Sequence, residues 1–88
     1  MFYTYIIYSK TLSIYYKGFT TDFAKRLESH NLGKSTYTSK TNDWVSVYLK
    51  LHATKKEALI EEKRLKRLNI KSLEKLISGN SFLNNEQV

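Results

Sequence analysis

The amino-acid sequence predicts an α+β fold, a small three-stranded antiparallel β-sheet flanked by helices in the order ββαβαα. Aromatic and β-branched residues dominate three runs, two near the start of the chain and one near its middle. Segments with helical spacing lie between the second and third runs and again after the third. Polar stretches and glycines separate these segments, so each is expected to form its own element.

The first two strands are predicted to form a β-hairpin. Residues 2–8 are almost continuously aromatic or β-branched, and a polar triplet at residues 9–11 interrupts this run. Residues 14–16 resume the strand pattern before Gly18. The short polar interruption therefore predicts a turn between two paired strands.

The first helix is predicted over residues 22–31. Helix-start residues occupy positions 20–22, and Gly33 suits the left-handed conformation that ends many helices. Residues 33–43 are polar and lack periodicity, which predicts an exposed loop. A period-two pattern over residues 44–49 then predicts the third strand.

A capping box predicts the start of the second helix. Thr54 and Glu57 have the spacing at which a threonine and a glutamate cap a helix reciprocally. The charged helix that follows is predicted to end near Leu68. A third, short helix is predicted over residues 72–77, before Gly79.

Length and composition limit the possible classes of protein. With 88 residues the chain can bury one modest core, so we expect one domain over residues 1–78 and a flexible tail over residues 79–88. The absence of cysteine excludes disulfides, a thiolate nucleophile and a zinc site built on sulfur. The apolar runs are too short to cross a bilayer and the start MFYTYIIYSK does not resemble a signal peptide, so we expect a cytoplasmic protein.

The charge balance points to a polyanionic partner. Fifteen Lys and Arg residues against 8 Asp and Glu residues give a formal net charge of +7. Such an excess is typical of proteins that bind nucleic acid. The alternative is that the charge serves only to keep a small protein in solution.

Several polar residues lie where simple packing would not place them. On the first helix, Phe23 and Leu27 define the core-facing arc, and Arg26 and His30 fall at its edge, one turn apart. An Arg that extends to solvent and a hydrogen-bonded boundary His would also explain this pattern.

The second helix carries two glutamates within or beside its apolar stripe. Ala58, Leu65 and Leu68 mark the stripe, and Glu61 and Glu62 lie next to it. A carboxylate in such a place is costly unless it is paired or binds a cation. An ordinary salt bridge within the helix is the alternative, and spacing alone does not choose between the two glutamates.

Tyr5 and Tyr16 place hydroxyl groups on the two paired strands. Core packing, with each hydroxyl reaching a carbonyl or the rim, would explain either of them alone. Two Tyr, an Arg, a His and one Glu are together the groups that phosphodiester hydrolysis requires: a phenol or imidazole for water, a guanidinium for phosphate and a carboxylate for a divalent metal.

Two segments carry a resemblance to a known family, YTYIIYSK and YYKGFTTDFAKRLESHNLGKSTYTSK. They resemble a small stand-alone member of the GIY-YIG endonuclease superfamily, similar to the amino-terminal domain of excision nucleases, over residues 2–77. The first half-motif of that family ends a strand with a tyrosine, here Tyr5 within TYI. The second is Tyr-x-Gly, here Tyr16 within YKG. Thr4 replaces the glycine of the first half-motif and Lys17 the isoleucine of the second, and neither change removes a reacting group.

The resemblance also implies site residues on the two longer helices. The family places an arginine on the helix after the second strand, which matches Arg26, and a His or Tyr one turn later, which matches His30. Its single metal-binding glutamate lies in a context like EALxxEK. The segment EALIEEK therefore implies Glu62 and not Glu61.

The implied function is that of a metal-dependent endonuclease that hydrolyses DNA phosphodiester bonds, in DNA repair or in processing branched or damaged DNA. Glu62 would hold a divalent ion, Mg²⁺ or Mn²⁺. Tyr5 or Tyr16 would help to activate water, although the ordinary tyrosine pKa near 10 requires a nearby cation to lower it. His30 is a further base or positioning group, and Arg26 would hold the scissile phosphate.

Four lysines are candidates for a surface that follows the nucleic-acid backbone: Lys17, Lys25, Lys34 and Lys40. The alternative function is a non-catalytic nucleic-acid-binding module of the same fold. His52, near the end of the third strand, is expected at the surface.

Overall fold

The computed structural model describes residues 1–34 and 38–79 and confirms the predicted α+β fold and element order. The six elements are β1 (Phe2–Ser9), β2 (Ile14–Thr20), α1 (Phe23–Asn31), β3 (Trp44–His52), α2 (Lys55–Arg67) and α3 (Ile70–Ser78). Most of the predicted tail, residues 80–88, lies outside the described residues. None of the helices in the described ranges is both long and apolar enough to span a membrane.

The sheet has the strand order β2-β1-β3, and both strand pairs are antiparallel. β1 is therefore the central strand, and both of its faces are covered. Four consecutive β1 residues, Thr4, Tyr5, Ile6 and Ile7, are no more than 1% exposed. Because side chains alternate along a strand, Tyr5 and Ile7 point to one face and Thr4 and Ile6 to the other.

Each face of the sheet has its own hydrophobic cluster. On the Tyr5 face, Ile7 and Trp44 pack with Phe23 and Leu27 of α1, which confirms the predicted core-facing arc of that helix. A different set forms the cluster on the other face, and its buried members are Ile6, Tyr48, Leu65 of α2 and Leu73 of α3. The sheet thus separates α1 from α2 and α3.

Capping residues set the ends of the helices. Asp22 accepts a hydrogen bond from the backbone N–H of Lys25 at 3.1 Å, and Gly33 ends the first helical segment with a φ of 75°. Both hydrogen bonds of the predicted capping box between Thr54 and Glu57 are present. α3 begins earlier than predicted because Asn69 caps it.

Two expectations about exposure are wrong. His52 is only 8% exposed, because β3 stays paired with β1 up to the pair formed by His52 and Phe2. Nε2 of His52 lies 2.9 Å from Oγ1 of Thr4. The loop at residues 33–43 is not exposed throughout, because Thr38 is fully buried. In both cases a polar side chain is buried against a hydrogen-bonding partner, which hydropathy patterns do not reveal.

Candidate functional site

A line of hydrogen bonds joins three elements on the α1 face of the sheet. The phenol oxygen of Tyr5 lies 2.9 Å from Nε2 of His30, and Nδ1 of His30 lies 2.7 Å from Oγ1 of Thr38. Nε of Arg26 donates to the same phenol oxygen at 3.4 Å. A strand, a helix and the following loop therefore meet at one buried tyrosine.

Local geometry explains why these groups meet. Arg26 and His30 are one turn apart on α1, so both side chains face the strand that carries Tyr5. The Phe23 ring packs against Tyr5 at a centroid distance of 5.3 Å, and the Tyr16 ring lies edge-on to His30 at 5.1 Å. The structure thus brings together four of the five predicted catalytic residues around one helix.

Burial divides the site into two layers. Tyr5, His30 and Thr38 are at most 1% exposed, and we call them the inner triad. Tyr16 and Arg26 are only partly buried, on the outer side of the triad. Substrate and water can therefore reach the outer groups but not the inner triad.

Burial also sets the charge state of His30. Desolvation, with a further contribution from the nearby Arg26 cation, lowers the pKa of His30 to about 4. The imidazole is therefore neutral near pH 7. A neutral imidazole has one donor and one acceptor nitrogen, and both nitrogens of His30 have hydrogen-bonding partners.

The tyrosine of the triad keeps its proton. Burial raises the pKa of Tyr5, and this effect outweighs the opposing effect of Arg26. The hydrogen bond with Tyr5 is in turn the main reason that the pKa of Arg26 is raised, and a hydrogen bond with Tyr16 adds to it. The site accordingly holds a neutral phenol, a neutral imidazole and a fixed positive charge.

Glu61 belongs to a structural network. The residue is 8% exposed, and its carboxylate accepts hydrogen bonds from the Tyr48 hydroxyl at 2.9 Å and from Arg64 at 2.7 and 2.9 Å. The Arg64 guanidinium is the main reason that the pKa of Glu61 is lowered to about 2. The salt bridge within the helix, considered as the alternative for the glutamates, therefore explains Glu61 together with the hydrogen bond from Tyr48.

Glu62 has a different environment. Its side chain is 22% exposed, and its ion pair with Lys66 is long, at 3.6 Å. Its negative charge makes a small contribution to the raised pKa of Tyr5, after burial of that phenol and the effects of Arg26 and Tyr16. Mg²⁺ commonly uses one or two carboxylates and keeps several waters. A partly exposed carboxylate with one weak partner fits that requirement, and residues 1–34 and 38–79 contain no cluster of three or more His, Asp or Glu that would form a full protein cage.

One of the four predicted nucleic-acid-binding lysines lies beside Arg26. Lys25 and Arg26 border a cavity of about 260 Å³ at the start of α1. Lys17 pairs with Ile6 and so points to the opposite face of the sheet from Tyr5. The remaining two, Lys34 and Lys40, are exposed after α1, and Lys40 borders a separate cavity of about 480 Å³.

Thr38 is a residue of the candidate site to which sequence reasoning assigned no role. It lies in an aperiodic polar loop, and neither its type nor its spacing from His30 indicates a buried hydrogen bond. Its backbone carbonyl also accepts a hydrogen bond from Nε1 of Trp44 at 3.0 Å. The clue available in the sequence was the tryptophan directly after the loop, since a buried indole N–H needs an acceptor.

Comparisons with known proteins identify the family. The model of the GIY-YIG catalytic domain matches residues 1–75. The chain is 38% identical over 71 residues to a UPF0213 protein of Streptococcus pneumoniae, covering 80% of this chain and 72% of that protein. It is 37% identical over 65 residues to a UPF0213 protein of Staphylococcus haemolyticus, covering 73% and 78%. The solution NMR structure of a UPF0213 protein from Bacillus halodurans covers 100% of this chain and 97% of its own, with a TM-score of 0.61 and 30% identity.

The chain therefore belongs to the GIY-YIG catalytic domain family, which is a family of nucleases. Within that family, the relatives compared above are all UPF0213 proteins. GIY-YIG nucleases generally act on nucleic acid and depend on a divalent metal. The predicted membership of the GIY-YIG superfamily is thereby confirmed.

Proposed function

We propose that this protein is an endonuclease that hydrolyses DNA phosphodiester bonds with Mg²⁺ or Mn²⁺. The observation that carries the proposal is the bond from Arg26 to the buried Tyr5 phenol, because it fixes a cation beside the partly exposed Tyr16. A phosphodiester placed there would meet a positive charge and a hydroxyl together.

Arg26 is proposed to hold the scissile phosphate. A guanidinium stays charged at all relevant pH values and can donate two parallel hydrogen bonds to phosphate oxygens. Arg26 interacts with both Tyr5 and Tyr16, so a phosphate held by its guanidinium would lie beside both phenols. The cavity bordered by Lys25 and Arg26 provides space for the phosphate and its neighbour along the strand.

Tyr16 is proposed to orient or deprotonate the attacking water. It is the phenol of the pair that solvent can approach, whereas Tyr5 is 1% exposed and its raised pKa keeps it protonated. We assign Tyr5 and His30 a different role from Tyr16. Both act as positioning residues, since they contact Arg26 or each other and not the solvent.

Glu62 is proposed to hold the divalent ion, together with water and phosphate oxygens. When bound, such an ion supplies positive charge that stabilises the charge developing on the leaving oxygen. Glu61 is excluded from this role because Tyr48 and Arg64 already occupy its oxygens.

DNA is proposed to bind mainly through its backbone. The net charge of +7 and the exposed lysines Lys25, Lys34 and Lys40 favour contacts that are sensitive to salt and independent of sequence. Lys17, on the opposite face of the sheet from Tyr5, does not fit this path. With such contacts, selectivity has to come from the shape of the substrate. We therefore propose branched or damaged DNA as the substrate class, in repair or strand processing.

A cleavage panel tests this function. Labelled duplex, single-stranded, flap and four-way-junction DNAs are incubated with Mg²⁺ or Mn²⁺ and with the wild type, Glu62→Gln or Arg26→Lys. The wild type should cut at least one substrate, and both variants should lose about 100-fold or more in rate. Glu74→Gln removes the same charge from an exposed position on α3 and serves as the matched control, with wild-type cleavage expected.

Two other outcomes reject the proposal in different ways. Salt-dependent DNA binding without cleavage would identify a non-catalytic nucleic-acid-binding module of the same fold. If the wild type does not bind DNA even at modest salt, both the nuclease role and the binding-module role are rejected, because contacts with the DNA backbone are strongest at low salt.

A further inference from the structure

We propose that Thr38 is a positioning residue that fixes His30 in the tautomer with its proton on Nδ1, and thereby holds Arg26 in place. This inference rests on the phosphate-binding role proposed above for Arg26. It assigns a function to the loop residue that completes the inner triad. Thr38 itself contacts neither solvent nor substrate, since it is fully buried.

The tautomer follows from the sharing of donors and acceptors along the line of hydrogen bonds. Nε of Arg26 donates to the Tyr5 oxygen, so the hydroxyl proton of Tyr5 is free to point to Nε2 of His30 at 2.9 Å. Nε2 is then the acceptor nitrogen of a neutral imidazole, and the proton lies on Nδ1. Oγ1 of Thr38, 2.7 Å from Nδ1, accepts that proton in a hydrogen bond.

Three further hydrogen bonds, one to the Thr38 backbone and two between Asn31 and Trp44, hold the Thr38 hydroxyl at this position. The indole of Trp44 donates to the Thr38 carbonyl, and Trp44 is 2% exposed. The side chain of Asn31 forms two hydrogen bonds with the backbone of Trp44, at 2.8 and 3.1 Å. Because Asn31 follows His30 in α1, the helix, the loop and β3 are fixed to one another around the imidazole.

Removing the hydroxyl should reverse the tautomer. In Thr38→Val, a buried Nδ1–H would have no acceptor, which is unfavourable, so the proton should move to Nε2. Nε2–H would then point at the Tyr5 oxygen and compete with Nε–H of Arg26. Thr38→Ser retains the hydroxyl and should retain the wild-type arrangement.

Nitrogen-15 NMR of the imidazole measures the tautomer directly. We expect a protonated Nδ1 and an unprotonated Nε2 for His30 in the wild type and in Thr38→Ser, and the reverse in Thr38→Val. Thr41→Val is the matched control, because it removes a hydroxyl that donates to Asp43 at 2.8 Å in the same loop and does not touch His30. A wild-type signal with the proton on Nε2 would overturn the proposal, even if Thr38→Val failed to fold.

Single-turnover cleavage tests the effect on Arg26. Thr38→Val should cut about tenfold more slowly at saturating DNA with little change in KM, as for other losses of a group that orients a site residue. Thr38→Ser and Thr41→Val should cut at the wild-type rate. A full rate in Thr38→Val despite a reversed tautomer would overturn the positioning role and leave the nuclease function intact. If the wild type cuts no DNA, the proposed function fails together with this role in cleavage, while the tautomer signals still decide whether Thr38 fixes His30.

Discussion

Gly18 lies directly opposite Tyr5 in the antiparallel pair of β2 and β1, and the Tyr5 phenol fills the space that a side chain at Gly18 would occupy. Within the described residues Gly33 is the glycine with positive φ, so Gly18 is required for space and not for an unusual backbone conformation. The glycine of one half-motif thus makes room for the tyrosine of the other. The two half-motifs are complementary parts of one packing arrangement.

Gly18→Ala should destabilise the protein by about 2 kcal/mol, because a methyl group would overlap the Tyr5 ring. Urea unfolding of the purified variant measures this loss. In a Tyr5→Leu background, which lacks the phenol, the same substitution should cost less than about 1 kcal/mol. An equal cost in the two backgrounds would show that overlap with Tyr5 is not the cause.

Substitution of Glu61 and of Glu62 in α2 by glutamine should have different effects: the first substitution should lower stability and the second should lower the cleavage rate. Glu61→Gln should lower the free energy of unfolding by about 1–2 kcal/mol, because it weakens bonds with Tyr48 and with Arg64, which is itself half exposed. Glu62→Gln should change stability by less than about 0.5 kcal/mol, since it loses one long surface ion pair, and yet abolish cleavage. Urea unfolding and initial cleavage rates of the two variants provide the comparison. The prediction is wrong if Glu61→Gln, when folded, is the less active of the two.

The free energy of unfolding should fall as the pH is lowered from 6.5 to 4.5. The pKa of His30 is about 4 in the folded protein and near 6.5 in the unfolded chain, so the unfolded chain binds the proton first. This difference amounts to about 2 kcal/mol over that range. Glu61 has a lowered pKa, so its contribution is lost only at pH values below about 4.5.

Urea unfolding at several pH values checks this prediction, with His30→Gln as the comparison. The variant should be less stable at pH 7, but its stability should depend less on pH between 6.5 and 4.5. Parallel pH dependences for the two proteins would mean that another group is responsible.

Removing each hydroxyl of the site in turn should distinguish the two tyrosines. Tyr16→Phe should slow cleavage by about 100-fold or more, as expected for loss of the group that activates water. Tyr5→Phe should slow it by about tenfold, because Arg26 loses an anchor but keeps its charge. Single-turnover rates with saturating DNA give both values. A larger effect at Tyr5 would reverse the assigned roles.

Lysine substitutions should locate the DNA path. Lys25→Gln should reduce the slope of log affinity against log salt by about one, because Lys25 borders the cavity beside Arg26. Lys10→Gln removes an exposed charge from the hairpin turn and should leave that slope unchanged. Binding titrations at four or five salt concentrations measure both slopes, and equal slopes for the two variants would exclude a specific path at Lys25.

Local chemistry in the sequence predicts most of the architecture. The capping box at Thr54 and the glycine at position 33 act within one helical turn, so their effects can be recognised without the fold. The extra length of β3 depends on pairing with the first residues of β1, and the alternating pattern had already weakened there. The burial of His52 depends on the same long-range pairing.

For the candidate site, sequence reasoning found the relationships that local spacing determines. The spacing of Arg26 and His30 indicates a shared surface, but the full burial of His30 requires Thr38 from a loop without a pattern. The difference between Glu61 and Glu62 requires the Tyr48 hydroxyl, which comes from another element. Interactions between residues within one helical turn could be recognised in the sequence. Interactions between residues of different elements could not.

The central position of β1 has a consequence for folding. Tyr5 pairs with Gly18 on one side, which is close in sequence, and with Leu49 on the other, which is far along the chain. Pairings between residues that are distant in sequence form late, because the intervening chain must first lose conformational entropy. A chain emerging from the ribosome can form the hairpin early, but Tyr5 stays unpaired on its other edge until residues 44–52 have been made. The inner triad is therefore completed only when β3 is in place, because Trp44 of that strand donates a hydrogen bond to the Thr38 carbonyl.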